Sequence, residues 1–237
     1  MILDIHTGRQ RKMKNKMPAI RYAFIILLSL ISRNAAGQEK TPVQAVSSPI
    51  NTEVLGSNRG LAFQMIIDKK ISSIPRLGFF SVTSLVGEWG EDQIGDYMTQ
   101  ASLTYELVKG LKFAGGFHVT PVKGMRPIAG LIYTKASPVW LFVANSRIDY
   151  SKDTNVEGMF LVEYKPEIND NWRFYSRLQA LYEYSTVIDM QTRSYLMARA
   201  GLSYKEITFG AGTNIDFYGP EKHNENSFGG FVSFLLF

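Results

Sequence analysis

Taken two residues at a time, the stretch 172–184, WRFYSRLQALYEY, separates into two chemically different faces. Trp172, Phe174, Ser176, Leu178, Ala180, Tyr182 and Tyr184 form one; Arg173, Tyr175, Arg177, Gln179, Leu181 and Glu183 form the other. A period of two is that of an extended strand. Thirteen alternating positions are far more than the ~5–6 residues usual in soluble proteins. The apolar face ends in aromatics and has small or aliphatic residues between them. A strand needs that arrangement when its middle meets hydrocarbon, its ends meet headgroups and its other side meets a polar lumen.

The same alternation recurs along the chain after Gly60, with no sustained helical period. It predicts strands at about 60–69, 76–87, 96–108, 111–120, 127–135, 138–149, 157–166, 172–185, 192–204, 206–217 and 227–237. Residues 96–108 place Tyr97, Leu103, Tyr105 and Leu107 outward, with Met98, Gln100 and Glu106 inward. Residues 111–120 follow through a Val108-Lys109-Gly110 loop, whose glycine suits a left-handed position, with Glu106 facing Lys112 and Leu107 facing Leu111. On 192–204, Leu196, Leu202 and Tyr204 point out while Arg193, Tyr195, Met197 and Arg199 point in. The charges fall on the inner face of every clear strand. A charge on the lipid side at midplane would cost about 2–4 kcal/mol, so this one-sidedness supports a membrane barrel.

Aromatics mark two levels. Tyr105, Trp140, Tyr164, Trp172 and Tyr204 lie near connections read as short, at about 109–110, 136–138, 167–171 and 205–206. Tyr97, Tyr150, Tyr182, Tyr184 and Phe217 lie near connections read as longer, at 88–95, 121–126, 150–156, 186–191 and 218–226. From Trp172 to Tyr182, at ~3.3 Å per residue and ~40° tilt, the span is about 25 Å, the height of an apolar band. The fold class expected is therefore all-β: an antiparallel up-and-down transmembrane barrel over residues 60–237. Counting back from the C-terminus gives ten strands; twelve, with a partner strand hidden in 41–58, or eight with merged segments, are the alternatives.

Residues 1–37 read as a cleaved export signal, with basic residues before an apolar run from Ala23 to Ile31 and small residues at Ala35, Ala36 and Gly37. Translation starting at Met13 or Met17 would keep those features. Residues 38–59 are polar, contain two prolines and read as a flexible lead-in. The formal charge of +5 belongs to the leader. It holds seven of the 26 basic and one of the 21 acidic residues, which leaves 19 against 20. A chain so balanced gives no argument for nucleic-acid binding. The absence of cysteine excludes a disulfide framework or a thiolate metal site.

The chain ends FGGFVSFLLF, with Phe237, Leu235 and Phe231 at alternate places and Ser233 breaking the series. This resembles the C-terminal assembly signal of Gram-negative outer-membrane proteins. With the leader and the alternation, the chain is similar to the outer-membrane β-barrel class, small porin-like proteins included. That resemblance implies outer-membrane location, lipid around the barrel, and delivery to the barrel-assembly machinery through the last strand.

Chemistry is expected inside the lumen. Arg147, Arg173, Arg177, Arg193, Arg199 and Lys112 face Glu106, Glu163, Glu183 and Asp216, with His118 beside them. Pairing 172–185 with 192–204 about residue 188 sets Glu183 opposite Arg193 and Arg177 opposite Arg199. The second pair puts two cations together and needs a carboxylate, such as Glu163, or a bound anion. One reading is a porin-like channel, or a barrel that handles a solute or lipid, whose arginines select a small anionic solute. The other is a non-conducting structural barrel, filled by ion pairs, that acts through its loops or an envelope assembly. Trp140, Tyr164, Trp172, Tyr182, Tyr184 and Tyr204 are the expected interface aromatics.

Catalysis is not expected. Barrel phospholipases and deacylases carry His and Ser two residues apart facing lipid, whereas His118 is followed at that spacing by Thr120 and both point inward. The rim residues Asp92, Asp96, Asp153, Asp189, Glu221 and His223 have no specific spacing, and EKHNEN at 221–226 reads as a solvated loop. No metal or cofactor is expected. The glycine pairs lie within strands and lack the strand–loop–helix setting of a phosphate loop.

Overall fold

A computed structural model describes residues 48–92 and 94–237. The leader and most of the lead-in lie outside the described residues. Twelve antiparallel strands among the described residues close into one barrel. They are β1 (Ile50–Ser57), β2 (Gly60–Lys70), β3 (Leu77–Glu88), β4 (Asp96–Val108), β5 (Leu111–Thr120) and β6 (Gly124–Ala136). There follow β7 (Trp140–Asp149), β8 (Asn155–Tyr164), β9 (Trp172–Ser185), β10 (Met190–Tyr204), β11 (Ile207–Tyr218) and β12 (His223–Leu236). Each strand pairs with its chain neighbours, and β1 pairs with β12 from Ile50↔Leu236 to Ser57↔Gly229.

The count is twelve, the alternative with a partner strand hidden in 41–58, rather than ten, and the reason is β1. INTEVLGS is short, and its inner side mixes Asn51, Glu53, Leu55 and Ser57, so no apolar face stands out. Residues 50–57 belong to the barrel wall, and the lead-in boundary expected at residue 60 moves back to 50. With β1 present, β2 has a partner on both edges and no unpaired edge remains.

The expected contrast between short and long connections is absent. At the rim carrying both barrel ends, the terminal rim, loops run from two residues (109–110) to seven (165–171). At the opposite, distal rim they run from two (58–59) to seven (89–95). Residues assigned to long polar loops, such as 124–126 and 155–156, are strand. The β4–β5 turn is tighter than expected: the register shifts after Glu106, so Val108, not Leu107, faces Leu111. Gly110 has φ of 83°, as its position requires, and a Cβ there would stand 2.5 Å from the Thr134 carbonyl oxygen.

The faces follow the alternation. Leu103, Phe113, Phe117, Phe160, Phe174, Leu178, Leu196, Phe209 and Val232 are exposed on the outer wall. Outward charges, Lys69 and Lys135, sit at strand ends by the terminal rim. Aromatics pair there across neighbouring strands: Trp140 with Tyr164 (4.4 Å between ring centres) and Trp172 with Tyr204 (5.0 Å). No helix among the described residues is long and apolar enough to cross a membrane; the candidates for crossing are the strands.

Candidate functional site

The lumen is layered from the terminal rim to the distal rim. Inside the charged residues of the terminal rim, Phe80, Ala114 and Ile132 are buried together, with Ile66, Val82 and Val143 packed against them. Leu181, Tyr195 and Met197 form a second cluster with Met159, and Leu55, Tyr175 and Phe231 a third. Alternation puts Tyr175, Leu181, Tyr195 and Met197 on the inner face, but it does not place Phe80, Ile132 or Val143. In runs such as WLFVA of β7 and GMFLV of β8 both faces are apolar, so the period of two disappears.

Buried ion pairs lie beside these clusters, with the Arg199 guanidinium 5.8 Å from the Phe231 ring centre. Arg177 and Arg199 stand opposite each other in register, as expected. The carboxylate between them is Glu53 of β1, not Glu163. Its Oε1 accepts from Arg177 Nη2 at 2.9 Å and from Arg199 Nε at 2.9 Å. All three side chains are buried. Arg199 lies across Gly212, where a Cβ would meet its Cδ at 2.6 Å, and its Nη1 donates to the carbonyls of Ala198 and Thr213. Glu163 serves elsewhere, accepting from Tyr175 Oη (2.9 Å) and Lys165 Nζ (2.9 Å).

Further toward the distal rim, Arg147 donates to Glu157 Oε2 at 2.7 Å and Gln100 Oε1 at 2.5 Å. Arg126 Nη1 lies 2.5 Å from Asp149 Oδ2. His118 is enclosed between them, its Nδ1 3.3 Å from Asp149 Oδ2 and 3.0 Å from Arg126 Nη2. Arg126 and Asp149 sit at strand ends that sequence reading assigned to loop or left unmarked, which is why they were missed.

Register and side-chain partners diverge at two expected pairs. Glu183 faces Arg193 across β9–β10, yet its carboxylate holds Lys123 (3.1 Å), Thr192 (2.8 Å) and Asn155. Arg193 turns instead to Asp216 (3.0 Å) and Asp96 (3.2 Å), over the Tyr218 ring. Glu106 faces Lys112, but Lys112 reaches Asp68 (2.5 Å) and Glu106 accepts from Lys70 (2.7 Å). Lumen side chains lean across the barrel, and a long cation reaches a carboxylate two or more strands away as readily as its neighbour. Arg173 is no lumen residue: it is exposed at the terminal rim and donates to Glu167 at 2.8 Å. Phe231 and Leu235 point inward, and the outer face of β12 is carried by Phe228, Val232, Phe234 and Leu236.

Three cavities follow one another along the lumen. A chamber of about 340 Å³ occupies the terminal half, bordered at the rim by Asn51, Asp68, Ala136 and Lys165 and inward by Gln100, Arg147, Glu157 and Tyr195. A cleft of about 50 Å³ occupies the distal side, among Glu53, Arg59, Glu88, Asp96, Arg193, Asp216 and Glu225. Between them is a neck of about 20 Å³, lined by Met98, Arg193, Tyr195 and Met197 with Gln64, Ser84 and Asp96. That is close to the room one water molecule takes up, ~10–15 Å³. Chamber and cleft share no lining residue, and the neck borders on both.

No family model matches the chain, and no curated protein matches its sequence. Solved structures similar to it in shape include the NanC porin, at 13% identity and TM-score 0.46, covering 79% of this chain and 98% of that one. The KdgM porin is similar at 12% identity and TM-score 0.41 over 80% of this chain and 98% of that one. LpxR from Salmonella typhimurium is similar at 7% identity and TM-score 0.38 over 80% of this chain and 100% of that one. Among the described residues, no group of His, Cys, Asp and Glu is arranged to hold a metal ion.

Proposed function

We propose that this chain is an integral outer-membrane β-barrel whose narrow, charge-balanced interior is a porin-like passage for small solutes. One observation carries the reading: an outer wall apolar through its middle and edged at the terminal rim with paired aromatics surrounds an interior in which three cavities lie in series. Such a wall is stable only against hydrocarbon. The wall's partner is then outer-membrane lipid, and β12 is the segment offered to the assembly machinery. The signal-like leader fits export to that membrane.

The lumen arginines do not make a free positive surface. Arg126, Arg147, Arg177, Arg193 and Arg199 each lie within ion-pair distance of a carboxylate. An anion meeting them must compete with Asp149, Glu157, Glu53 and Asp216, so selection by sign is weak. The narrow neck favours a second reading, a closed barrel that conducts nothing.

Recording from refolded protein in a planar lipid bilayer separates the two. A passage limited by the neck gives small, uniform conductance steps. Trimming the neck with Met98→Ala and Met197→Ala gives larger ones. No steps from protein that still shows heat-modifiable migration on a gel would replace the passage with the closed barrel.

A further inference from the structure

The chamber in the terminal half differs from the rest of the lumen in its chemistry. Its wall is formed by Ile66, Phe80, Val143, Leu161, Leu181 and Leu235, although it lies inside a barrel where polar residues would be stable. At about 340 Å³ it is within the range of small-molecule sites, ~300–1,000 Å³. Each charged residue lining it is already paired: Asp68 with Lys112, Glu163 with Lys165, Arg147 with Glu157, and Arg177 with Glu53. A charged ligand entering this chamber would lose its hydration and find no free counter-charge.

Four buried polar atoms of lining residues have no hydrogen-bond partner among the described residues: Thr134 Oγ1, Gln179 Oε1 and the Nε of Arg147 and of Arg177, whose guanidiniums are ion-paired through Nη2. Gln179, 4% exposed, donates its amide to Tyr195 Oη at 2.8 Å, and its Oε1 has no partner among the described residues. Both residues line the chamber. A buried acceptor without a donor costs free energy that a hydroxyl or amide of a ligand recovers.

We infer that the chamber is a binding site for a small uncharged amphiphile: an apolar body against the aliphatic wall and one hydrogen-bonding group at Gln179. Entry is from the terminal rim, where the chamber reaches the strand ends at Asn51, Asp68 and Lys165. The inference rests on the barrel reading of the proposed function and not on conduction, because binding in the chamber needs no open neck.

The chain has no cysteine, so single-cysteine variants report on one place at a time. Val143→Cys puts a thiol on the chamber wall, and Ser84→Cys puts one beyond it, in the neck and cleft. Both are refolded into lipid nanodiscs and modified with methyl methanethiosulfonate, with 1-octanol and octanoate as probes. The expected result is that 1-octanol slows modification at Val143→Cys several-fold and leaves Ser84→Cys unchanged, while octanoate at equal concentration protects neither. Adding Leu161→Trp, which fills the chamber, abolishes protection by 1-octanol with heat-modifiable migration intact. Absence of protection, or equal protection by octanoate, overturns the inference. A barrel that is silent in the bilayer yet protected by 1-octanol overturns the passage alone, and a conducting barrel without protection overturns the site alone.

Discussion

Glu53 holds two guanidiniums with a single oxygen, in a place where none of the three side chains is accessible. Arg177 and Arg199 face each other across β9 and β10, so without Glu53 two buried cations would repel. Removing one member of a buried pair typically costs about 3–5 kcal/mol, because the remaining charge is left uncompensated. Glu53→Gln is expected to lower barrel stability by about that much, read as a lower urea midpoint in folded-band gels. Pairing it with Arg199→Leu, which removes one of the stranded cations, should restore part of the loss. No change in midpoint for Glu53→Gln would remove this ion triad from the account. The residue-level puzzle was legible: the spacing of Arg177 and Arg199 about residue 188 predicted their meeting and the need for a carboxylate. Its solution was not, because a lone Glu in INTEVLGS has nothing in its neighbourhood that marks it as an inner position.

Elements with one apolar and one polar face were legible, and those without were not. β4, β5, β9, β10 and β11 alternate cleanly, and their faces and pairing follow the pattern. β6, β7 and β8 were located within a few residues, but their inner faces were obscured because the chamber wall is as apolar as the lipid side. β1 entered only as the strand hidden in 41–58 of the twelve-strand alternative, for the opposite reason: it has no apolar face long enough to stand out. It nonetheless closes the barrel by joining β12 to β2. Deleting residues 48–57 would leave β2 and β12 as open edges in hydrocarbon, where unpaired backbone groups cost several kcal/mol each. The expected outcome is loss of the heat-modifiable band on semi-native gels. A truncated chain that still migrates as a compact barrel would show that eleven strands, or ten, can close without β1.

At the scale of the whole molecule, lumen charge is balanced rather than one-sided. Sequence reading put arginines on the inner face of the strands but could not tell how many carboxylates reach them, since Glu53, Asp96, Asp149 and Glu157 came from a lead-in, a rim and two strand ends. Loops at both rims run to seven residues at most. The interior divides into an apolar chamber, a neck and a charged cleft, and under the proposed passage the neck would limit what crosses. Arg193 lines the neck together with Asp96 and also contacts Asp216, so an ion entering it meets both signs of charge within one side-chain length. The most direct test of this account is the reversal potential of the wild-type barrel in a planar bilayer under a potassium chloride gradient. A charge-balanced passage predicts a potential close to zero, with chloride and potassium passing comparably. A large potential of the sign set by chloride would contradict it, and would mean that the lumen arginines act as an anion filter despite their carboxylate partners.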